Sequence, residues 1–150
     1  MVKKEIKLPD EQLGYLLTQS SFLKQRIVNA ALRKLDITYI QFVILAGTFE
    51  LREGNRIVTQ QIISEERRLD KAMVSNVVKT LINKKLMIRD VHPEDKRAYT
   101  LSLTEEGVSK AIAGKKIALQ IDNSFFSGVD TEKLKEILMI LLKNNNTLYE

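Results

Sequence analysis

Between residues 70 and 103 the spacing of apolar side chains changes period, and few folds accommodate that change. Val74, Val77, Val78, Leu81 and Ile82 recur at three- and four-residue steps. They form the buried stripe of an amphipathic helix that Asp70 caps and that runs to about Lys84. The opposite side carries Lys71, Ala72, Ser75, Asn76, Lys79, Thr80 and Asn83, with no acidic residue between Lys71 and Lys85. From Met87 the rhythm becomes that of strands, first Met87 to Val91 and then Ala98 to Leu103. In the second, Tyr99, Leu101 and Leu103 alternate with Ala98, Thr100 and Ser102, as in a half-buried strand. His92-Pro93-Glu94-Asp95-Lys96-Arg97 joins the two strands, with Pro93 expected off the ladder. A short helix over residues 60–67, opened by Thr59 as N-cap, precedes the long stripe across a tight turn at Arg68-Leu69.

Helices are expected on both sides of this unit. Residues 10–33 carry Leu13, Leu16, Leu17, Leu23, Ile27, Ala30 and Ala31 at helical spacing, with Asp10 as cap after Pro9. Residues 38–52 form a second helix, capped by Asp36 or Thr38, with Phe42, Leu45 and Phe49 on one side. Thr104-Glu105-Glu106, a hydroxyl followed by two acids, opens a helix to about Phe126 that Gly114 is expected to weaken. After Ser127-Gly128-Val129, Asp130 or Thr131 caps a last helix. Its stripe of Leu134, Ile137, Leu138, Leu141 and Leu142 is widened by Met139 and Ile140.

Two helices joined by a tight turn, followed by strand, loop and strand, make a winged helix-turn-helix. The expected class is mainly α with a small β-hairpin (α+β). Residues 1–150 form a single unit, with the winged part at about 36–104 and flanking helices at about 8–34 and 105–148. The sequence resembles the MarR family of bacterial transcription regulators. The resemblance is carried by Leu69-Asp70-Lys71-Ala72-Met73-Val74-Ser75-Asn76-Val77-Val78-Lys79-Thr80-Leu81, by Lys84-Lys85-Leu86-Met87-Ile88-Arg89, and by His92-Pro93-Glu94-Asp95-Lys96-Arg97-Ala98 closed by Leu103-Thr104-Glu105-Glu106-Gly107. The chain departs from the family pattern at Arg67 and Arg68, where an apolar residue and glycine are usual, and at Lys85, where a glycine with positive φ is usual.

Charge is unevenly placed. The net charge of +5 lies wholly between Arg56 and Lys116, where 13 Lys/Arg face 8 Asp/Glu; the remainder is neutral. A basic segment in a neutral body suits a polyanionic partner, although a solvated face would look the same. The absence of cysteine excludes a disulfide framework, a thiolate zinc site and a thiol nucleophile, and fits a reducing, cytoplasmic setting. His92 is the sole histidine, so no zinc or redox site is expected, and no cofactor. The acid pairs Glu65-Glu66 and Glu105-Glu106 lack a partner nucleophile, so an enzyme is not expected. No secretory h-region follows Lys3-Lys4, and no apolar run reaches membrane-spanning length.

The candidate site residues follow from how a helix reads double-stranded DNA. A helix fits the major groove and its N-terminal half reaches base edges. Ser75, Asn76 and Lys79 occupy that half; Asn can pair with adenine and Lys with guanine, while Ala72 can touch a thymine methyl and Lys71 a phosphate. In the wing, Arg97 suits a narrow minor groove, with Lys96 beside it. The resemblance implies that Asp95 orients the wing arginine through an ion pair. Arg89 can hold phosphate or brace the wing acids. Thr59 and Gln60, with Gln61, open the preceding helix where its free N–H groups can receive a phosphate. Arg67 and Arg68 are expected at the surface, and His92 in a structural or phosphate-contacting role.

The terminal helices carry more apolar surface than a small winged domain can cover. In the resembled family such helices interleave in a homodimer, implying a pseudo-palindromic operator with half-sites about 10 bp apart or slightly more. The resemblance also implies a repressor, and in many relatives release by a small-molecule effector. Tyr15, Tyr39 and Phe42 are read as core rather than pocket. The alternative is a winged-helix module that binds protein instead of specific DNA.

Overall fold

The computed structural model describes residues 12–146. Helix α1 (Leu13–Leu32) passes through a turn of 3-10 helix (Arg33–Leu35) to Asp36, whose left-handed backbone at φ 54° turns the chain. Asp10, expected to cap α1, lies outside the described residues. Helix α2 (Tyr39–Glu53) is capped by Thr38 rather than Asp36. The Thr38 hydroxyl accepts the Gln41 N–H at 3.2 Å, and the Gln41 side chain accepts the Thr38 N–H at 3.1 Å. This reciprocal box satisfies two of the donors every helix start leaves open.

Helices α3 (Gln60–Arg67) and α4 (Lys71–Asn83) follow, capped by Thr59 and Asp70, which accept the N–H groups of Ile62 and Met73. Strands β1 (Met87–Val91) and β2 (Tyr99–Leu103) pair antiparallel, with Arg89 opposite Leu101 and Val91 opposite Tyr99. The Leu101 N–H also donates to the Val58 carbonyl at 2.8 Å, so the β-branched Ile57-Val58 stretch lies along the free edge of β2. The alternation expected along β2 holds at Leu101, which is buried, but not at Tyr99, which is exposed because the hairpin extends beyond the core.

Helix α5 (Glu105–Phe125) runs unbroken through Gly114. The expected weakening is replaced by a packing role: a Cβ at 114 would lie 2.6 Å from the Phe42 ring, so glycine lets α5 close onto α2. Gly107 is tighter still, its would-be Cβ falling 2.0 Å from the Leu86 carbonyl oxygen. Helix α6 (Thr131–Asn144) starts on Asp130, which accepts the Lys133 N–H.

The core lies at the middle of the chain. Leu32, Ile44, Leu45, Ile63, Val74, Val78, Leu81, Leu86 and Leu101 are sealed from solvent and join α1, α2, α3, α4 and the hairpin. The ends differ. Within α1 only Val28 and Leu32 are buried, and within α6 no residue is. Leu16, Leu17, Phe22, Leu23 and Ile27 of α1 and Ile137, Met139, Ile140 and Leu142 of α6 remain exposed. Among the described residues no helix is long and apolar enough to cross a membrane.

Candidate nucleic-acid interface

Helix α4 stands with Val74, Val78 and Leu81 fully buried, which fixes its rotation about its own axis. That rotation leaves Lys71, Ala72, Asn76, Lys79, Thr80 and Asn83 exposed, and Ser75 half-buried at the edge. The helix is also fixed at both ends. Before it, Arg68 adopts φ 52°, the Leu69 N–H donates to the Ser64 carbonyl at 2.9 Å, and the Ser64 hydroxyl donates to the Leu69 carbonyl at 2.6 Å. After it, Lys85 adopts φ 59°, the conformation for which the resembled family uses glycine. Lys84 reaches back to Asp36, donating to its carbonyl and standing 3.4 Å from its carboxylate. The C-terminal end of α4 is thereby tied to the elbow between α1 and α2. From the other side Lys110 of α5 donates to the Leu35 carbonyl at 2.6 Å.

The wing loop is organised by its own side chains. His92 Nδ1 accepts the backbone N–H groups of Glu94 at 3.1 Å and Asp95 at 3.2 Å, which requires an imidazole whose Nδ1 carries no proton. Its own N–H donates to the Ala98 carbonyl, and the Ala98 N–H to the Asp95 carbonyl, both at 3.1 Å; Ala98 therefore closes the loop and β2 starts one residue later. Asp95 Oδ1 accepts the Arg97 backbone N–H at 3.0 Å. No ion pair joins Asp95 to the Arg97 guanidinium, so Asp95 shapes the chain that presents Arg97 and leaves the cation itself outward. Arg89 braces neither wing acid; its guanidinium carbon lies 4.6 Å above the Tyr99 ring centroid, across the diagonal of the hairpin.

At the start of α3 the Thr59 hydroxyl is engaged as cap, Gln60 is half-buried, and the Gln61 amide donates to Glu65 at 3.0 Å. Arg67 and Arg68 are not the surface residues expected. Both are half-buried, with the Nε of each enclosed and without a hydrogen-bond partner. Arg67 lies against α2 because residue 47 is glycine; a Cβ there would come within 2.7 Å of its Nε.

The pairing of charges separates two groups of cations. Arg56 pairs with Glu66, Arg67 and Lys115 with Glu50, Lys84 with Asp36, and Lys110 with Glu106. Among the described residues none of Lys71, Lys79, Arg89, Lys96 and Arg97 has a carboxylate within 4.0 Å. The cations of the α4 face and the wing are thus left available to a partner, as are the exposed Lys85 and Lys116. Sequence reasoning missed two features: the Arg89–Tyr99 stack, which the diagonal spacing across the hairpin signals, and the junction at Glu50. Glu50 joins residues far apart in the chain, and no local pattern marks it. Among the described residues no group of three His, Asp or Glu could hold a metal ion.

Comparison with known proteins agrees with this geometry. Residues 26–113 match the family model of the transcriptional regulators SarA and Rot. A helix-turn-helix-type transcriptional regulator of Bacillus subtilis, YdcH, is 36% identical over 137 residues, covering 91% of this chain and 93% of its own. Among solved structures, the S. aureus MepR–DNA complex superposes with a TM-score of 0.77 at 24% identity, covering 91% of this chain and 96% of MepR. Bordetella bronchiseptica BpsR, whose DNA binding is regulated by 6-hydroxynicotinic acid, gives 0.76 at 26% identity over 89% of this chain and 92% of its own. The fold is that of MarR-family regulators, as the sequence resemblance implied.

Proposed function

Because the chain belongs to the SarA/Rot family of transcriptional regulators and is not an enzyme, we propose that it represses transcription as a homodimer on a pseudo-palindromic DNA operator. Helix α4 enters the major groove and the wing loop, residues 92–97, lies in the adjacent minor groove. The observation that carries this reading is the set of unpaired cations. Lys71, Lys79, Lys96 and Arg97 are exposed, free of described carboxylates and gathered on α4 and the wing loop, whereas Arg56, Arg67, Lys84, Lys110 and Lys115 of the same segment are paired. Asn76 and Ser75 supply base contacts, Ala72 an apolar contact, and Lys71, Arg89, Thr59 and Gln60 phosphate contacts. Asp95 contributes by holding the chain before Arg97.

The dimer reading draws on α1 and α6, many of whose apolar side chains no described element covers; Leu13 is 80% and Met139 61% exposed. Full burial of a fully exposed side chain of this kind is worth about 1.5–3 kcal/mol, and these partly exposed ones gain a corresponding part of that when a second copy covers them. Two-fold pairing of these helices spaces two copies of α4 for successive major grooves, and so for half-sites about 10 bp apart or slightly more. The operation of BpsR under 6-hydroxynicotinic acid supports release by a small molecule, which must bind a spacing of the two α4 helices that DNA does not accept. The setting that suits such a regulator is the cytoplasm, with its DNA.

Selection of bound duplexes from a random pool tests the reading. It should enrich a palindromic motif, and affinity for that motif should fall steeply between two salt concentrations. Binding that is weak, unselective and insensitive to salt would instead identify a module for protein partners.

A further inference from the structure

We propose that Glu50 is a positioning residue for DNA recognition, the link through which the helix-turn-helix is held in register with α5. The inference rests on the DNA-binding reading above. Glu50 stands near the end of α2 and accepts from two cations on two other elements, Arg67 at the last position of α3 and Lys115 of α5, the latter at 3.1 Å. Arg67 is held flat against the α2 backbone over Gly47, with its Nε enclosed and unpartnered. Its guanidinium has one described carboxylate partner, Glu50. Without that partner, water becomes the better environment for the guanidinium, whose side chain is already 32% exposed, and the enclosed Nε is drawn outward from the crevice.

Such a movement has a short route to the recognition helix. Arg67 is followed by Arg68 in its left-handed conformation, then Leu69, then Asp70, the cap of α4. Lys115 connects the same carboxylate to the long helix that continues away from the winged part. The ion pairs themselves contribute little to stability, since the Glu50 and Lys115 side chains are 42% and 52% exposed. Their effect is on placement. Glutamine cannot replace Glu50, because its amide accepts from one cation only by turning its NH2 toward the other.

The test compares wild type with Glu50→Gln, Lys115→Met and the double variant, measuring affinity for the selected operator and for a random duplex of equal length. Removing a negative charge raises affinity for any DNA, so the ratio of the two affinities is the readout. Each single variant should lower that ratio roughly fivefold or more, in the range of measured couplings between sites. The double variant should lose no more than Glu50→Gln alone, because both act through one carboxylate. A ratio equal to wild type in both single variants, or losses that simply multiply, would overturn the proposal. If Glu50→Gln fails to fold, Lys115→Met decides alone, since half of its side chain is in solvent. A wild-type protein with no preference for any duplex would instead sink the DNA-binding reading.

Discussion

Asp95 holds Arg97 by its main chain: the carboxylate Oδ1 accepts the Arg97 N–H at 3.0 Å, and no carboxylate among the described residues pairs with the guanidinium. Asparagine keeps the acceptor and removes the charge; alanine removes both. Both variants lose the same negative charge and gain affinity for DNA by it, so the comparison is between them: Asp95→Ala should bind operator DNA more weakly than Asp95→Asn by one hydrogen bond, about 0.5–1.5 kcal/mol. Fluorescence anisotropy with a labelled duplex checks this. Equal affinity in the two variants would mean that the turn contact does not position Arg97.

Arg97 and Asn76 should fail in different ways. Arg97→Ala should weaken binding to every sequence and lower the salt slope by about 1. Asn76→Ala should instead relax preference at one base position per half-site by roughly 1–3 kcal/mol. Repeating the duplex selection with each variant separates the two patterns.

Glu50 gives the protein a pH dependence. Burial pushes its pKa upward, but hydrogen bonds from Arg67 and Lys115, with their charges, outweigh this and leave it below the ordinary glutamate value of 4.5. A carboxyl depressed on folding contributes stability above its unfolded pKa and loses it as pH falls through the folded one. The melting temperature of wild type should thus fall more steeply than that of Glu50→Gln below pH 4.5. Parallel curves would show that Glu50 adds nothing to acid sensitivity.

Gly114 and Gly107 should resist substitution although both are helical. Alanine is favoured over glycine in a helix by about 1 kcal/mol. At 114 the added methyl meets the Phe42 ring at 2.6 Å, an overpacking that costs typically 1–3 kcal/mol. At 107 it meets a backbone carbonyl at 2.0 Å, which cannot turn aside as a ring can. Both variants should melt below wild type, Gly107→Ala the lower.

Ile137→Lys with Ile140→Lys should leave the single chain folded, because both side chains are already about half exposed, at 48% and 51%. The pair should nevertheless halve the mass seen in sedimentation. An unchanged mass would place the dimer contact elsewhere or remove it.

These outcomes also mark where sequence was informative. The bounds of α3 and α4 were legible because Thr59 and Asp70 are strong caps and the stripe from Val74 to Leu81 is regular. The wing was legible from period-two alternation around a proline loop, and the left-handed Lys85 from the family resemblance, which has a positive-φ glycine there. Local pattern failed wherever a distant backbone decides. Gly114 reads as a weak point until Phe42 lies beneath it. Arg67 reads as solvated until Gly47 and Glu50, far earlier in the chain, make room and provide a counter-charge. Asp36 and Thr38 were equal candidates until the Gln41 side chain completed the box on Thr38. For Ser75, Asn76, Lys79 and Arg97 the sequence offered chemistry alone, since base readout depends on the partner.

Helix α4 begins after one left-handed arginine and ends before one left-handed lysine, Arg68 and Lys85. Each conformation costs a side-chain-bearing residue about 1–2 kcal/mol that glycine would not incur. Mutation toward glycine at either position is therefore the easy direction for thermostability, and each such step discards a positive charge from the neighbourhood of the helix. Laboratory selection for heat resistance alone should drift along this path, producing sturdier proteins that hold polyanions less well. Selection that demands both properties should keep Arg68 and Lys85 and find its gains in other parts of the molecule.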